Sequence, residues 1–214
     1  PRELKDQIGQ ADAVAIVFSP LFMERIAAIR DDLPQVRTYV CNGENGTLDF
    51  ETLLAGYPPD EPEAEVSLYD ANLILYTAGT TGAPKGAVLT HRNSLFNAFT
   101  CCFDYGFTRR DVLQIVPPLF HAAAVNCMLL PGLVLGCTVV VHLRFDPEDM
   151  LRTIGREGVT VTWGPAVLWR TLLAYPDFGK YDVRSVRLLG NGGMAMTGEM
   201  REKLLAHFPG SAMM

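Results

Sequence analysis

Tyr76-Thr77-Ala78-Gly79-Thr80-Thr81-Gly82-Ala83-Pro84-Lys85-Gly86 joins two short apolar runs, Leu73 to Tyr76 and Gly86 to Leu89. Small and hydroxylated residues closed by one cation suit a polyphosphate. Glycines let the backbone approach oxygens closely, successive N–H groups form an anion nest, threonine hydroxyls donate hydrogen bonds, and Lys85 adds a point charge. A Walker loop would need Gly immediately before the Lys and Ser or Thr after it. Here Pro84 and Gly86 flank Lys85, which excludes an ordinary P-loop NTPase. On composition alone, a plain Gly and Thr turn between two strands reads equally well.

Outward from this loop, short β-branched runs alternate with amphipathic stretches, the pattern of parallel strands covered by helices. The class is α/β, with mostly parallel sheets flanked by helices. Ala13 to Phe18 and Arg37 to Val40 read as strands around a helix over Leu21 to Ile29. Asn42 to Ser67, with six Gly and Pro residues and many acids, reads as a solvated connection holding one helical turn. His91 to Phe103 fits a helix whose Leu95, Phe96, Phe99, Cys102 and Phe103 repeat at helical spacing, so these are expected in the core. Asp146-Pro147-Glu148-Asp149 supplies a cap, a proline at the first helical position and acids in the first turn, so a helix starts there. Val159 to Trp163 is the next strand, Pro165 to Leu173 a helix, Val186 to Leu189 a strand, and Thr197 to Phe208 a last helix. The expected division is 1–65, a βαβ-like part with its linker, and 66–214, which carries the motifs.

Composition narrows the function. With 214 residues, 49% of them hydrophobic, the chain buries a substantial core. A net charge of −6 with scattered Lys and Arg argues against nucleic-acid binding. Five cysteines (Cys41, Cys101, Cys102, Cys127, Cys137) without a C-x-x-C pair or a signal pattern fit a reducing cytoplasmic setting. The four histidines fall at no metal-ligand spacing from them, so no zinc or other protein-held metal site is expected. Val112 to Leu143 lacks Asp, Glu, Lys and Arg, yet five Pro and Gly residues interrupt it. A buried helix followed by a buried strand is expected there, with no transmembrane segment.

The full string from Tyr76 to Gly86, followed by Ala87-Val88-Leu89-Thr90-His91-Arg92-Asn93, is similar to the signature loop of the adenylate-forming (AMP-binding) superfamily. That family includes acyl-CoA synthetases, luciferases and peptide-synthetase adenylation domains. The departure is Ala78, where the family usually carries Ser, so one hydroxyl donor is missing. Pro117-Pro118-Leu119-Phe120-His121 resembles the family's second motif, which borders the acid pocket. Apart from that resemblance, His121 reads as a core histidine satisfied by a backbone carbonyl. Gly190-Asn191-Gly192-Gly193-Met194-Ala195-Met196 resembles, more loosely, the loop that stacks on adenine and lines the acyl tunnel. Met194 and Ala195 stand where a small residue and a proline are usual, and a tight turn ending a strand is the alternative. Thr162-Trp163-Gly164-Pro165 resembles the strand and helix start beside that tunnel, Trp163 and Trp169 being otherwise ordinary core aromatics.

The resemblance implies two half-reactions. A carboxylate attacks the α-phosphate of ATP to give acyl-AMP and pyrophosphate, and a thiol, usually of coenzyme A, then takes the acyl group. It implies Lys85 and Thr80 as catalytic groups and Thr77, Ala78, Gly79, Thr80, Thr81, Gly82 and Lys85 around the ATP phosphates. Gly192, Gly193 and Met194 would meet adenine, His121, Pro165 and Gly190 would border the acid, and Mg2+ would bridge the phosphates. The spelling leans towards a medium- or long-chain fatty acid, an aryl acid being the nearest variant. The alternatives are an enzyme loading a carrier protein and a non-catalytic nucleotide-binding homologue. The family's Tyr-Gly-x-Thr-Glu motif, ribose-binding Asp and C-terminal domain are not found, so these 214 residues are expected to be inactive by themselves.

Overall fold

The computed structural model describes residues 2–43, 49–77 and 84–214 and divides into two compact units, Pro1–His91 and Arg92–Met214. In the first unit, α1 (Arg2–Gln10) leads into β1 (Ala15–Phe18). A 3-10 turn over Pro20–Phe22 and α2 (Met23–Ala27) then return the chain to β2 (Thr38–Cys41). The helix expected over Leu21 to Ile29 is thus a 3-10 turn running into a short α-helix. β1 and β2 pair in parallel, Val17 opposite Val40. Ile26, Ile29, Leu33 and Val36 form the small core, with Leu4, Ile8, Ile16, Phe18 and Tyr39 packed against it. The connection after β2 holds α3 (Phe50–Ala55), capped by Asp49, which accepts from Thr52 N at 3.0 Å.

β3 (Ala71–Tyr76) and β4 (Gly86–Thr90) form an antiparallel pair with Tyr76 opposite Gly86. A Cβ on Gly86 would lie 2.8 Å from Ile74 Cγ2 and 3.2 Å from the Tyr76 ring, so only glycine lets the pair close there. The Tyr76 hydroxyl donates to Gln7 O at 2.9 Å and ties the pair to α1.

The second unit begins with α4 (His91–Asp104), followed by β5 (Val112–Ile115), a π-helix over Ala123–Leu129 running into α5 (Leu130–Leu135), and β6 (Thr138–Val141). Then come α6 (Pro147–Glu157), β7 (Val161–Gly164), α7 (Ala166–Leu173), β8 (Leu188–Asn191), α8 (Gly198–His207) and β9 (Ala212–Met213). The five strands form one parallel sheet in the order β6-β5-β7-β8-β9. Alternate strand residues serve two cores. Leu113, Ile115, Val161 and Leu188 join Ala124 and Met128, whereas Leu189 joins Met150, Leu151, Ile154, Trp169, Leu172, Leu204 and Phe208 from α6, α7 and the α8 end. The class is α/β, a parallel sheet flanked by helices. No helix among the described residues is long and apolar enough to cross a membrane; the uncharged run becomes β5, the π-helix with α5, and β6.

One expectation fails on α4. Of the five residues expected in the core only Cys102 is buried; Leu95, Phe96, Phe99 and Phe103 are exposed, Phe96 by 61% and Phe103 by 83%. The buried face is Ser94, Ala98, Cys101 and Cys102. Small side chains let the helix lie close to its neighbours: Asn97 Nδ2 donates to Asn126 O at 2.7 Å, and Cys102 Sγ lies 3.9 Å from Pro131 O. The spacing stays helical, but close approach rather than side-chain size selects the inward face.

Candidate functional site

Strand order reverses around β5, because the chain leaves it for β6 on one side and comes back through α6 to β7 on the other. Open parallel sheets leave a crevice beyond the carboxyl ends of their strands at such a point. A cavity of about 610 Å3 lies there, open to solvent. β5 brings Val116, Pro117, Pro118 and His121, β6 brings Leu143, Arg144 and Phe145, β7 brings Trp163 and Pro165, and the turn after β8 brings Gly192, Gly193 and Met194. Val167, Leu168 and Thr171 of α7 complete the wall. The lining is mostly apolar, with two cationic or titratable groups, Arg144 and His121.

His121 is exposed; its N–H donates to Pro118 O at 3.0 Å and its ring lies 4.8 Å from that of Phe120. The histidine held inside this unit is a different one, His142. Its Nδ1 lies 2.9 Å from Asp149 Oδ2 and its Nε2 lies 3.0 Å from Gln114 Nε2. An amide nitrogen only donates, so the His142 Nε2 accepts and its Nδ1–H faces Asp149.

Pro165 is the N-cap of α7, and its carbonyl accepts from Leu168 N at 2.9 Å. Past β8 the chain turns tightly, Asn191 Nδ2 donating to Met194 O at 3.0 Å. The two glycines inside that turn serve different ends. Gly193 has φ +76° with open space around it, so it is needed for its backbone; a Cβ on Gly192 would lie 2.6 Å from Trp163 Cζ2, so it is needed for room. Met194, 59% exposed, stands on the cavity edge.

Gly190 does not line the cavity. It pairs with Trp163 across the sheet, and a Cβ there would sit 2.1 Å from Trp163 Cδ1. Trp163 is therefore no ordinary core residue, as expected from its sequence setting; it is half-buried, faces the cavity and rests on the neighbouring strand. Trp169 does sit in the core, fully buried, its Nε1 donating to Gly190 O at 3.2 Å. Arg144 and Phe145 are further lining residues that sequence reasoning passed over. Only their position just past a strand, at the carboxyl edge of a parallel sheet, marked them.

In the first unit, Ala78, Gly79, Thr80, Thr81 and Gly82 lie outside the described residues. The residues at either end of that stretch are placed: Thr77 N donates to Lys85 O at 3.0 Å, its hydroxyl reaches the same oxygen at 3.4 Å, and Lys85 is exposed. Thr77 and Lys85 thus close the base of the loop.

A model of the AMP-binding enzyme family matches residues 1–214. The chain belongs to the AMP-binding enzyme family. A feruloyl-CoA synthase of an Amycolatopsis species is 32% identical over 203 residues, covering 95% of this chain and 39% of the relative. A long-chain-fatty-acid–CoA ligase of Bacillus subtilis is 32% identical over 156 residues, 72% of this chain and 27% of that protein. Among solved structures, ATP-bound MatB from Rhodopseudomonas palustris superposes with a TM-score of 0.83 at 27% identity, covering 97% of this chain and 40% of MatB. The chain thus spans about two fifths or less of each of these relatives.

Proposed function

We propose that the protein carrying this chain is an ATP-dependent acid–thiol ligase acting on a carboxylic acid with an apolar body. The carrying observation is the apolar cavity at the carboxyl ends of β5, β6, β7 and β8, in a chain of the AMP-binding family. The acid's carboxylate is already ionised at neutral pH, so no protein nucleophile is needed. Its oxygen bonds to the α-phosphorus of ATP as the bond to pyrophosphate breaks; the sulfur of coenzyme A then bonds to the acyl carbon, and AMP leaves. Catalysis then rests on alignment and on cancelling developing charge. Lys85 and Thr80, with Thr77, Ala78, Gly79, Thr81 and Gly82, are assigned to the phosphates. Gly192, Gly193 and Met194 are assigned to adenine, and His121 and Pro165 to the border of the acid. Gly190 acts behind that border, through Trp163.

Among the described residues no group of three His, Cys, Asp or Glu side chains converges as a metal site. A Mg2+ ion that would neutralise the phosphates of ATP is proposed on the family resemblance. The apolar lining accepts a medium- or long-chain fatty acid or an aryl acid, and the feruloyl-CoA synthase match over 95% of the chain supports the aryl variant.

The test is ATP–pyrophosphate exchange by the protein that carries this chain, with fatty, aryl and amino acids in turn. Exchange with a fatty or aryl acid is expected, reduced at least about a hundredfold in Lys85→Ala. Silence with every acid would leave a non-catalytic nucleotide-binding protein as the better reading. Exchange with amino acids alone would remove the apolar-acid assignment.

A further inference from the structure

In the parallel pairing of β7 with β8, Trp163 stands opposite Gly190. A Cβ on Gly190 would lie 2.1 Å from the pyrrole carbon Cδ1 of the indole, and one on Gly192 would lie 2.6 Å from Cζ2 at the benzo end. Two glycines spaced by one residue thus support both ends of a single side chain, which lies along the backbone of the next strand. Any side chain at either position would push the indole off that seat. The remainder of Trp163 is cavity wall. Nearby stand Pro117, Pro118 and Pro165, whose rings have little freedom to move.

We propose that Trp163, seated on Gly190 and Gly192, is the specificity-determining residue of this cavity and selects acids that carry a planar ring over straight-chain acids. The inference rests on the ligase reading above and adds the acid class to it. An indole seated on two glycines offers ring surface to the cavity, and an aromatic ring stacks on such a surface in an offset or edge-on way at little ordering cost to the protein. A straight chain gains no stacking from the same wall and loses the freedom of each of its bonds on entering.

Calorimetric titration of the protein that carries this chain with trans-cinnamate and with dodecanoate tests this, in the wild type, Trp163→Leu and Trp163→Phe. Leu keeps an apolar side chain without a ring; Phe keeps a ring. Both variants retain Trp169, whose emission reports an intact core. The expected result is a ratio of cinnamate to dodecanoate affinity that falls about tenfold in Trp163→Leu and stays within about threefold of wild type in Trp163→Phe. Equal ratios in the Leu and Phe variants would overturn the role of Trp163 while leaving the acid pocket standing. Absence of saturable binding of either acid to the wild type would overturn the pocket reading and this assignment together.

Discussion

Asp111 is 2% exposed and sits just before β5, at the amino end of the sheet. Arg187 holds it with Nε on Oδ1 at 2.8 Å and Nη2 on Oδ2 at 2.6 Å; Thr160 Oγ1 donates to Oδ1 at 2.7 Å and Thr108 N to Oδ2 at 2.7 Å. Burial pushes this carboxyl up, yet the bonds from Arg187, Thr160 and Thr108 pull it further down, to about 2 from an ordinary 3.8. A depressed folded pKa contributes stability that is fully present above the unfolded value and lost as pH falls through the folded one. Asp111→Asn should therefore cost about 2 kcal/mol at pH 6, because only the carboxylate side of the pair is buried and Arg187, 40% exposed, regains water. Urea titrations should show that difference shrinking between about pH 4 and pH 2. A difference that does not change with pH would mean that the ionised carboxylate is not what Arg187 stabilises. Gly190→Ala, in contrast, acts by volume. Its methyl would meet Trp163 Cδ1 and, at 2.6 Å, Met214 Cε. A loss of about 1–3 kcal/mol is expected in urea, with a red-shifted contribution from Trp163 as the indole leaves its seat.

Helices here are legible from their caps and misread from their faces. Asp146 caps α6 as its sequence demands, accepting from Asp149 N at 2.8 Å, and Thr197 caps α8, accepting from Met200 N at 3.2 Å. Both signals are local, set by side chains three residues from the groups that they satisfy, so a linear reading finds them. Asp146→Ala should cost about 1 kcal/mol in chemical denaturation. The α4 face is another matter. Its phenylalanines and the small set Ser94, Ala98, Cys101 and Cys102 are both helical stripes, and what decides between them is how near the π-helix and α5 come. Neither distance is written in α4 itself. Phe103→Ser should thus change stability by less than about 0.5 kcal/mol, whereas Ala98→Leu should cost about 1–3 kcal/mol by overpacking. The reverse outcome would mean that the phenylalanine stripe is the packed one. The site divides in the same way. His121, Pro165, Gly192, Gly193 and Met194 were legible as motif residues and meet at one cavity. The place of Trp163 beside the tunnel was legible in the same way, but its seat on Gly190 was not, because that depends on a cross-strand register.

Across the second unit the two ends of one sheet hold different chemistry. The amino ends of β5, β7 and β8 carry Asp111, Thr160 and Arg187, closed into a hydrogen-bonded knot, while the carboxyl ends open on the apolar cavity. Strand cores between them are fully buried at Leu113, Ile115, Val161 and Leu189. The first unit has one small core around Ile26, Ile29, Leu33 and Val36 and sheets of two strands each. Two-stranded sheets have little independent stability, and opening free energies follow the depth of apolar burial. Amide hydrogen exchange should therefore separate the units. Amides of β5, β7 and β8 should exchange last, with protection close to the global unfolding limit. Those of β3 and β4 should exchange earlier, because each strand has one paired edge. Asp111→Asn should lower protection across β5, β7 and β8 together, since its ligands reach all three strand ends, and leave the exchange of β3 and β4 unchanged. Were β3 and β4 to lose protection by the same factor, the two units would unfold as one cooperative block, and the knot at the sheet's amino end would stabilise the whole chain rather than its own unit.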